Sequence, residues 1–131
     1  MSDDLLHVEL VAADRVVWSG EAKSLIARTV EGDVGILANH APMLSLLVDG
    51  VVEVDTDQGE TWIAAVEAGF LSVADNRVSI LSEDAQMSHE IDLESAKRDL
   101  EHAHQSGADD EEAQEAVRRA QAKIRAVEKS S

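Results

Sequence analysis

Val51-Val52-Glu53-Val54-Asp55 leads through Asp57-Gln58-Gly59 into Thr61-Trp62-Ile63-Ala64, two apolar arms around a polar turn. β-Branched and aromatic side chains suit a pleated, half-buried surface, so two such arms around a glycine-bearing turn read as a β-hairpin. Downstream, Leu71-Ser72-Val73 turns at Ala74-Asp75-Asn76 into Val78-Ser79-Ile80-Leu81, a second hairpin whose Asp and Asn tolerate left-handed backbone. Upstream, Leu6 to Val11 shows mixed alternation, and Val16-Val17-Trp18 and Leu25-Ile26 read as separate short runs between polar breaks. Gly20, Gly32, Gly35, Gly50, Gly59 and Gly69 set the short-strand, frequent-turn rhythm of a β-sandwich or barrel. Pro42, the only proline, falls in a loop.

After Glu83 the period becomes helical. Asp92 can cap a helix in which Leu93, Ala96, Leu100 and Ala103 recur at three- and four-residue steps. Ser106-Gly107 ends it, and Asp109 followed by Glu112 reads as a variant capping box for a second helix. On that helix Ala113, Ala116, Val117, Ala120, Ile124 and Val127 form one thin, alanine-rich stripe. Its acids lie early and its bases late, the order that complements the helix dipole. The predicted class is therefore α+β in two parts: a flattened β-sandwich or barrel over 1–86, then an antiparallel α-helical hairpin over 87–131.

The 131 residues carry 27 acidic and 11 basic side chains, a net charge of −16, which opposes nucleic-acid binding because phosphate contacts need Lys and Arg. Residues 1–85 hold 4 basic and 16 acidic groups (net −12), whereas 86–131 hold 7 and 11 (net −4), so the basic residues gather in the tail. Aromatics are only 2%, which leaves the core to Val, Ile, Leu and Ala. With no cysteine, disulfides, thiolate metal sites and cysteine catalysis are excluded. No apolar run approaches the roughly 18 to 20 residues of a membrane span, and Met1-Ser2-Asp3-Asp4 is acidic where a signal peptide would be basic. Membrane association is expected only through a partner, without direct insertion.

Motifs for chemistry are missing. Nothing fits G-x-x-x-x-G-K-[ST], G-x-S-x-G or H-E-x-x-H, and Gly32-Asp33-Val34-Gly35 is too short for a phosphate loop. His102 and His104, two apart on a helix, point about 200° apart and cannot share a metal. No catalytic residue, metal site or cofactor is predicted. His40, in Ala38-Asn39-His40-Ala41-Pro42, reads either as a structural histidine bonding nearby carbonyls or as a partner contact.

The stretch from Glu31-Gly32-Asp33-Val34-Gly35 through Asn39-His40-Ala41-Pro42-Met43-Leu44 resembles the signature of the epsilon subunits of bacterial F-type, proton-translocating ATP synthases. Glu67-Ala68-Gly69-Phe70-Leu71-Ser72-Val73 is similar to that family's Gly-Gly-[Phe/Ile]-Leu-x-Val strand. Asn76-Arg77-Val78-Ser79-Ile80-Leu81-Ser82-Glu83-Asp84-Ala85 is similar to its next segment. Ile91-Asp92 stands where its first C-terminal helix begins, and Leu6 to Gly20 also matches, with Ser19-Gly20 closing the second strand. Ala38-Asn39 replaces the usual Pro-Gly before the histidine, but Asn, like Gly, accommodates positive φ.

The resemblance implies about ten strands and a non-catalytic rotor subunit of the central stalk, peripheral at the cytoplasmic face of the cell membrane. It implies c-ring contact through Glu31, Gly32 and Asp33, and gamma-subunit contact through His40, Ala41, Pro42 and Met43. Arg118, Arg119, Lys123 and Arg125 become regulatory contacts to the beta/alpha catalytic hexamer that block ATP hydrolysis, although late basic residues also serve simply as dipole partners. Some family members bind ATP at a motif that Ile91, Asp92, Ala96 and Lys97 match; Ser95 and His102 depart from it, standing where arginines would hold phosphate. ATP binding is therefore not expected beyond the millimolar range. The competing reading is a free-standing acidic β-sandwich adaptor with a helix-binding tail.

Overall fold

The expected hairpins frame the fold. In the computed structural model, which describes residues 4–105 and 110–130, β5 (Gly50–Thr56) pairs antiparallel with β6 (Thr61–Val66), and β7 (Gly69–Ala74) with β8 (Arg77–Ser82). Thr56 closes the first loop: its hydroxyl accepts from the Glu60 amide at 3.2 Å and its own amide donates to the Glu60 carbonyl at 2.8 Å. The second loop is the two-residue Asp75-Asn76, both at positive φ (51° and 62°), the twist that matches right-handed strands.

Nine strands are present among the described residues, the others being β1 (Leu6–Val11), β2 (Val16–Thr29), β3 (Gly32–Leu37), β4 (Met43–Leu47) and β9 (Ala85–Met87). They run in the order β1-β8-β7-β4-β2-β5-β6-β9, with β3 on β2. Because β1 also pairs with β2, the sheet folds back on itself as a flattened sandwich. The two runs expected around Trp18 and Ile26 are in fact one 14-residue strand, and Ser19-Gly20 lies inside it rather than at its end. Gly20 continues the ladder opposite Val8 while the Trp18 ring covers the space a side chain would take. β2 can serve both halves because its pairing passes from β1 to β3, β4 and β5, with an irregularity between Ala22 and Ser24. The interior is aliphatic, with Leu6, Val8, Leu25, Ile36, Val52, Leu71, Val73, Val78 and Ile80 fully buried and Trp18 and Trp62 against them.

A 3-10 turn (Ser88–Glu90) links the sandwich to α1 (Leu93–Gln105) and α2 (Glu111–Ser130). The Asp92 carboxylate accepts from the Ser95 amide at 3.1 Å, the expected cap. For α2 the cap observed is Asp110, which accepts from the Glu112 amide at 3.0 Å; Ser106, Gly107 and Asp109 lie outside the described residues. α2 lies between α1 and strands β5 and β6, so it needs two apolar faces where one stripe was expected. Ala113 and Ala120 belong to the expected stripe; Ala122 and Ala126, about 200° round from Ala120 and Ile124, pack on Ile63 and Ala65 of the sheet. The fully buried residues of both helices are all alanines.

Candidate functional site

Three surfaces carry the residues singled out above. The first is the tip of the β2–β3 hairpin. Thr29, buried, accepts from the Glu31 amide at 3.1 Å and donates to the Gly32 carbonyl at 2.9 Å. Gly32 takes φ 111°, which side chains disfavour, so Glu31 is exposed at the tip. Asp33, also exposed, faces Arg28 across the strand pair at 3.5 Å. The turn thus offers Glu31 outward, with the Asp33 charge partly answered.

The second is the loop 38–42 and the sheet face beside it. Asn39 adopts φ 68°, as its replacement of glycine requires. Its amide donates to the Asn76 side chain at 2.5 Å, and Asn76 returns a bond from Nδ2 at 3.3 Å, tying the loop to the β7–β8 turn. His40 Nδ1 donates to the Ala41 carbonyl at 2.7 Å, a bond to a nearby carbonyl that leaves its use as a partner contact open. Ala41 and Pro42 are exposed, whereas Met43 packs against the core.

Next to this loop lies a patch that sequence reasoning missed. Leu46 on β4, Phe70 on β7 and Leu81 on β8 are successive cross-strand partners. Each is about half exposed, and Leu44, two residues from Leu46 on the same face, is 73% exposed. Paired side chains on one face stand roughly 5 Å apart, so these form a continuous apolar ladder. Val30, also exposed, adjoins it through its amide bond to the Leu46 carbonyl at 3.0 Å. The signal was present: Met43-Leu44-Ser45-Leu46-Leu47 is apolar on both strand phases, which a one-sided strand would not be.

The third surface is the seam between α2 and the sheet. Arg118 lies 3.7 Å from Asp49 in the β4–β5 turn, Arg119 3.0 Å from Glu67 in the β6–β7 turn, and Lys129 3.1 Å from Glu53 on β5. Arg119 Nε is off the line of a hydrogen bond, so the contact is an ion pair, while its Nη2 donates to Glu115 at 3.3 Å. The Asp49 side chain is only 8% exposed, and its other oxygen accepts from the Ala68 amide at 2.8 Å. Burial pushes the Glu67 carboxyl up from its ordinary value; Arg119 and Lys123 pull it down, and Asp84 and Asp49 push it further up. Lys123 is half-buried beside the cleft between the helices, and Arg125 is exposed. The sheet acids Asp49, Glu53 and Glu67 are the partners of Arg118, Lys129 and Arg119, a pairing the sequence did not flag.

The positions compared with a nucleotide motif have structural occupations. Ile91 packs against the Ile63–Ala65 cluster, Asp92 caps α1 and Ala96 is buried. Lys97 and His102 are exposed and Ser95 half-buried. The interhelical cleft near His102 is lined by three acids, Asp99, Asp110 and Glu112, and by two bases, Arg119 and Lys123. Among the described residues no group of three or more His, Asp or Glu could hold a metal ion, and no helix is long and apolar enough to cross a membrane.

Residues 5–88 match the family model of the ATP synthase delta/epsilon chain β-sandwich domain. The chain is 51% identical over 122 residues to the ATP synthase epsilon chain of Streptomyces avermitilis, covering 93% of this chain and 94% of that one. It is 44% identical to that of Corynebacterium efficiens, covering 96% and 95%. A chain in the mitochondrial ATP synthase of Euglena gracilis, solved as an OSCP/F1/c-ring assembly, superposes with a TM-score of 0.77 at 26% identity, over 98% of this chain and 84% of that one.

Proposed function

This chain belongs to the ATP synthase epsilon chains, non-catalytic subunits of the central stalk, and from that membership we propose how its surfaces are used. The apolar ladder of Leu44, Leu46, Phe70 and Leu81, with the adjoining His40-Ala41-Pro42-Met43 loop, seats the gamma subunit. Glu31, Gly32 and Asp33 meet the polar loops of the c-ring. So held, the sandwich links proton-driven rotation to ATP synthesis from the cytoplasmic face of the membrane, as a peripheral component without insertion. The helices, taken as a regulatory unit from residue 87 onward, restrain ATP hydrolysis when Arg118, Arg119, Lys123 and Arg125 reach the catalytic hexamer.

The observation that supports this reading most directly is the ladder. Exposed contiguous apolar surface is unusual on a monomer and marks an interface. A subunit of a multi-chain stalk needs such a face, and on this sandwich β4, β7 and β8 supply it. The helices cover a different region, β5 and β6, so a partner on the ladder leaves them free to move. Binding of purified gamma subunit, measured by calorimetry, tests this. Phe70→Glu with Leu81→Glu should weaken it by roughly 100-fold, because each buries a charge at the centre of the interface. Wild-type affinity in a variant with unchanged circular dichroism would refute the assignment.

A further inference from the structure

Leu37, Ala38, Asn39 and His40 form a turn closed by the His40 amide, which donates to the Leu37 carbonyl at 3.2 Å. Asn39, third in the turn, has φ 68°, whereas Ala38 is not at positive φ. That combination is a type II turn, whose second and third positions proline and glycine fit best. Alanine leaves the loop more conformations to lose on ordering than proline would, and asparagine carries a Cβ into left-handed backbone. By its own residues, the turn that leads into Ala41-Pro42-Met43 is therefore loosely specified.

Order is supplied from outside the loop. Asn76 Oδ1 accepts from the Asn39 amide at 2.5 Å and Asn76 Nδ2 donates to Asn39 Oδ1 at 3.3 Å, two reciprocal bonds across 37 residues. Asn76 is itself fixed by its backbone: it lies in the β7–β8 turn at φ 62°, and its carbonyl accepts from the His7 amide of β1 at 2.7 Å. The clasp thus joins the loop to the strand pair that carries Phe70 and Leu81. At its other end the loop runs into Met43, which pairs with Val73 of β7.

We propose that Asn76 is a positioning residue for the partner surface: through Asn39 it holds loop 38–42 in one conformation, so that loop and ladder meet the partner as a single preformed face. This rests on the reading of loop and ladder as the gamma seat, and adds the residue that lowers the ordering cost of binding there.

Asn76→Gly removes the side chain and keeps the turn, because Asp-Gly suits two residues at positive φ. In the full-length protein, deuterium exchange of the Asn39 amide, followed by NMR, should quicken about tenfold as its local protection is lost. The midpoint of urea unfolding should not fall. Calorimetric affinity for purified gamma subunit should drop about fivefold, the order of the cost of ordering a short loop. Ala38→Pro with Asn39→Gly makes the turn self-sufficient, so Asn76→Gly added to that pair should leave gamma affinity unchanged. Unchanged exchange at Asn39 overturns the clasp. A lower unfolding midpoint with wild-type gamma affinity marks a purely structural residue and overturns the proposal. An equal loss of affinity in the Pro-Gly background shows direct contact with the partner and overturns it too. Faster exchange with wild-type affinity overturns the positioning role alone when Phe70→Glu with Leu81→Glu still weakens binding. If that ladder variant also binds at wild-type strength, the gamma seat is misassigned and the proposal falls with it.

Discussion

Gly69 shows how much one side chain decides. A Cβ there would sit 1.9 Å from the Leu81 carbonyl oxygen, so β7 and β8 keep their register only while position 69 is glycine. Gly69→Ala should destabilise the protein by about 2–3 kcal/mol or more, read from the midpoint of urea unfolding, because backbone and not a yielding side chain is in the way. Glu90 acts through charge. Its Oε1 accepts from the Met87 amide at 3.0 Å and from Arg15 at 3.3 Å, and the backbone bond, followed by Arg15, lowers its carboxyl below the ordinary value. A lowered folded value means the contribution is present above the unfolded carboxylate range and fades as pH falls through the folded one. Glu90→Gln should therefore cost about 1 kcal/mol at neutral pH, less for its solvent exposure, and the gap to wild type should close in acid. A gap independent of pH would show that the charge is not what matters.

At the scale of elements, legibility in the sequence depends on period. The hairpins at 51–64 and 71–81 were readable because apolar, β-branched arms flank a polar turn in each, with alternation in β5, β7 and β8 though not in β6, which is buried on both faces from Ile63 to Val66. The cap at Asp92 and the turn at Asp75-Asn76 were readable because their side chains make specific local bonds or tolerate unusual backbone. β2 was not readable as one strand, since a glycine inside it looks like a break until the Trp18 ring above it is seen. The second face of α2 was hidden for another reason: alanine is small enough to suit either side of a helix, so Ala122 and Ala126 carry no direction. Asp49, Glu53 and Glu67 drew no reading as ion-pair partners because the bases they meet are 52 to 76 residues away. The β2–β3 hairpin yields a prediction of its own. Glu31 stands out at the tip, whereas Asp33 is engaged by Arg28, so a cysteine at 31 should cross-link to the c-ring loop more efficiently than one at 33. Equal absence of cross-links in assembled enzyme would remove this contact.

For the whole molecule, the question is whether the helices restrain the assembled enzyme, and the structure dictates how to remove them. Cutting after Gln86 would take away Met87, which is buried in the core and completes β9 against β6. Cutting after Glu90 keeps that strand and the Arg15–Glu90–Met87 bonds, and deletes only the residues beyond the 3-10 turn. The natural companion is charge reversal at 118, 119, 123 and 125 with the helices retained. Reversal costs Arg118 and Arg119 their ion pairs to Asp49 and Glu67, and it also removes the cations that an acidic partner would recognise. Truncation and reversal should therefore both raise ATP hydrolysis several-fold while coupled synthesis persists. Glu67→Lys should do the opposite, because it frees the helix with its arginines intact and shifts the population toward the restraining state. That opposition in sign separates a regulatory helix from a merely stabilising one, whose loss and release would act alike. Wild-type hydrolysis in both the truncated and the reversed enzyme would show that the helices do not inhibit.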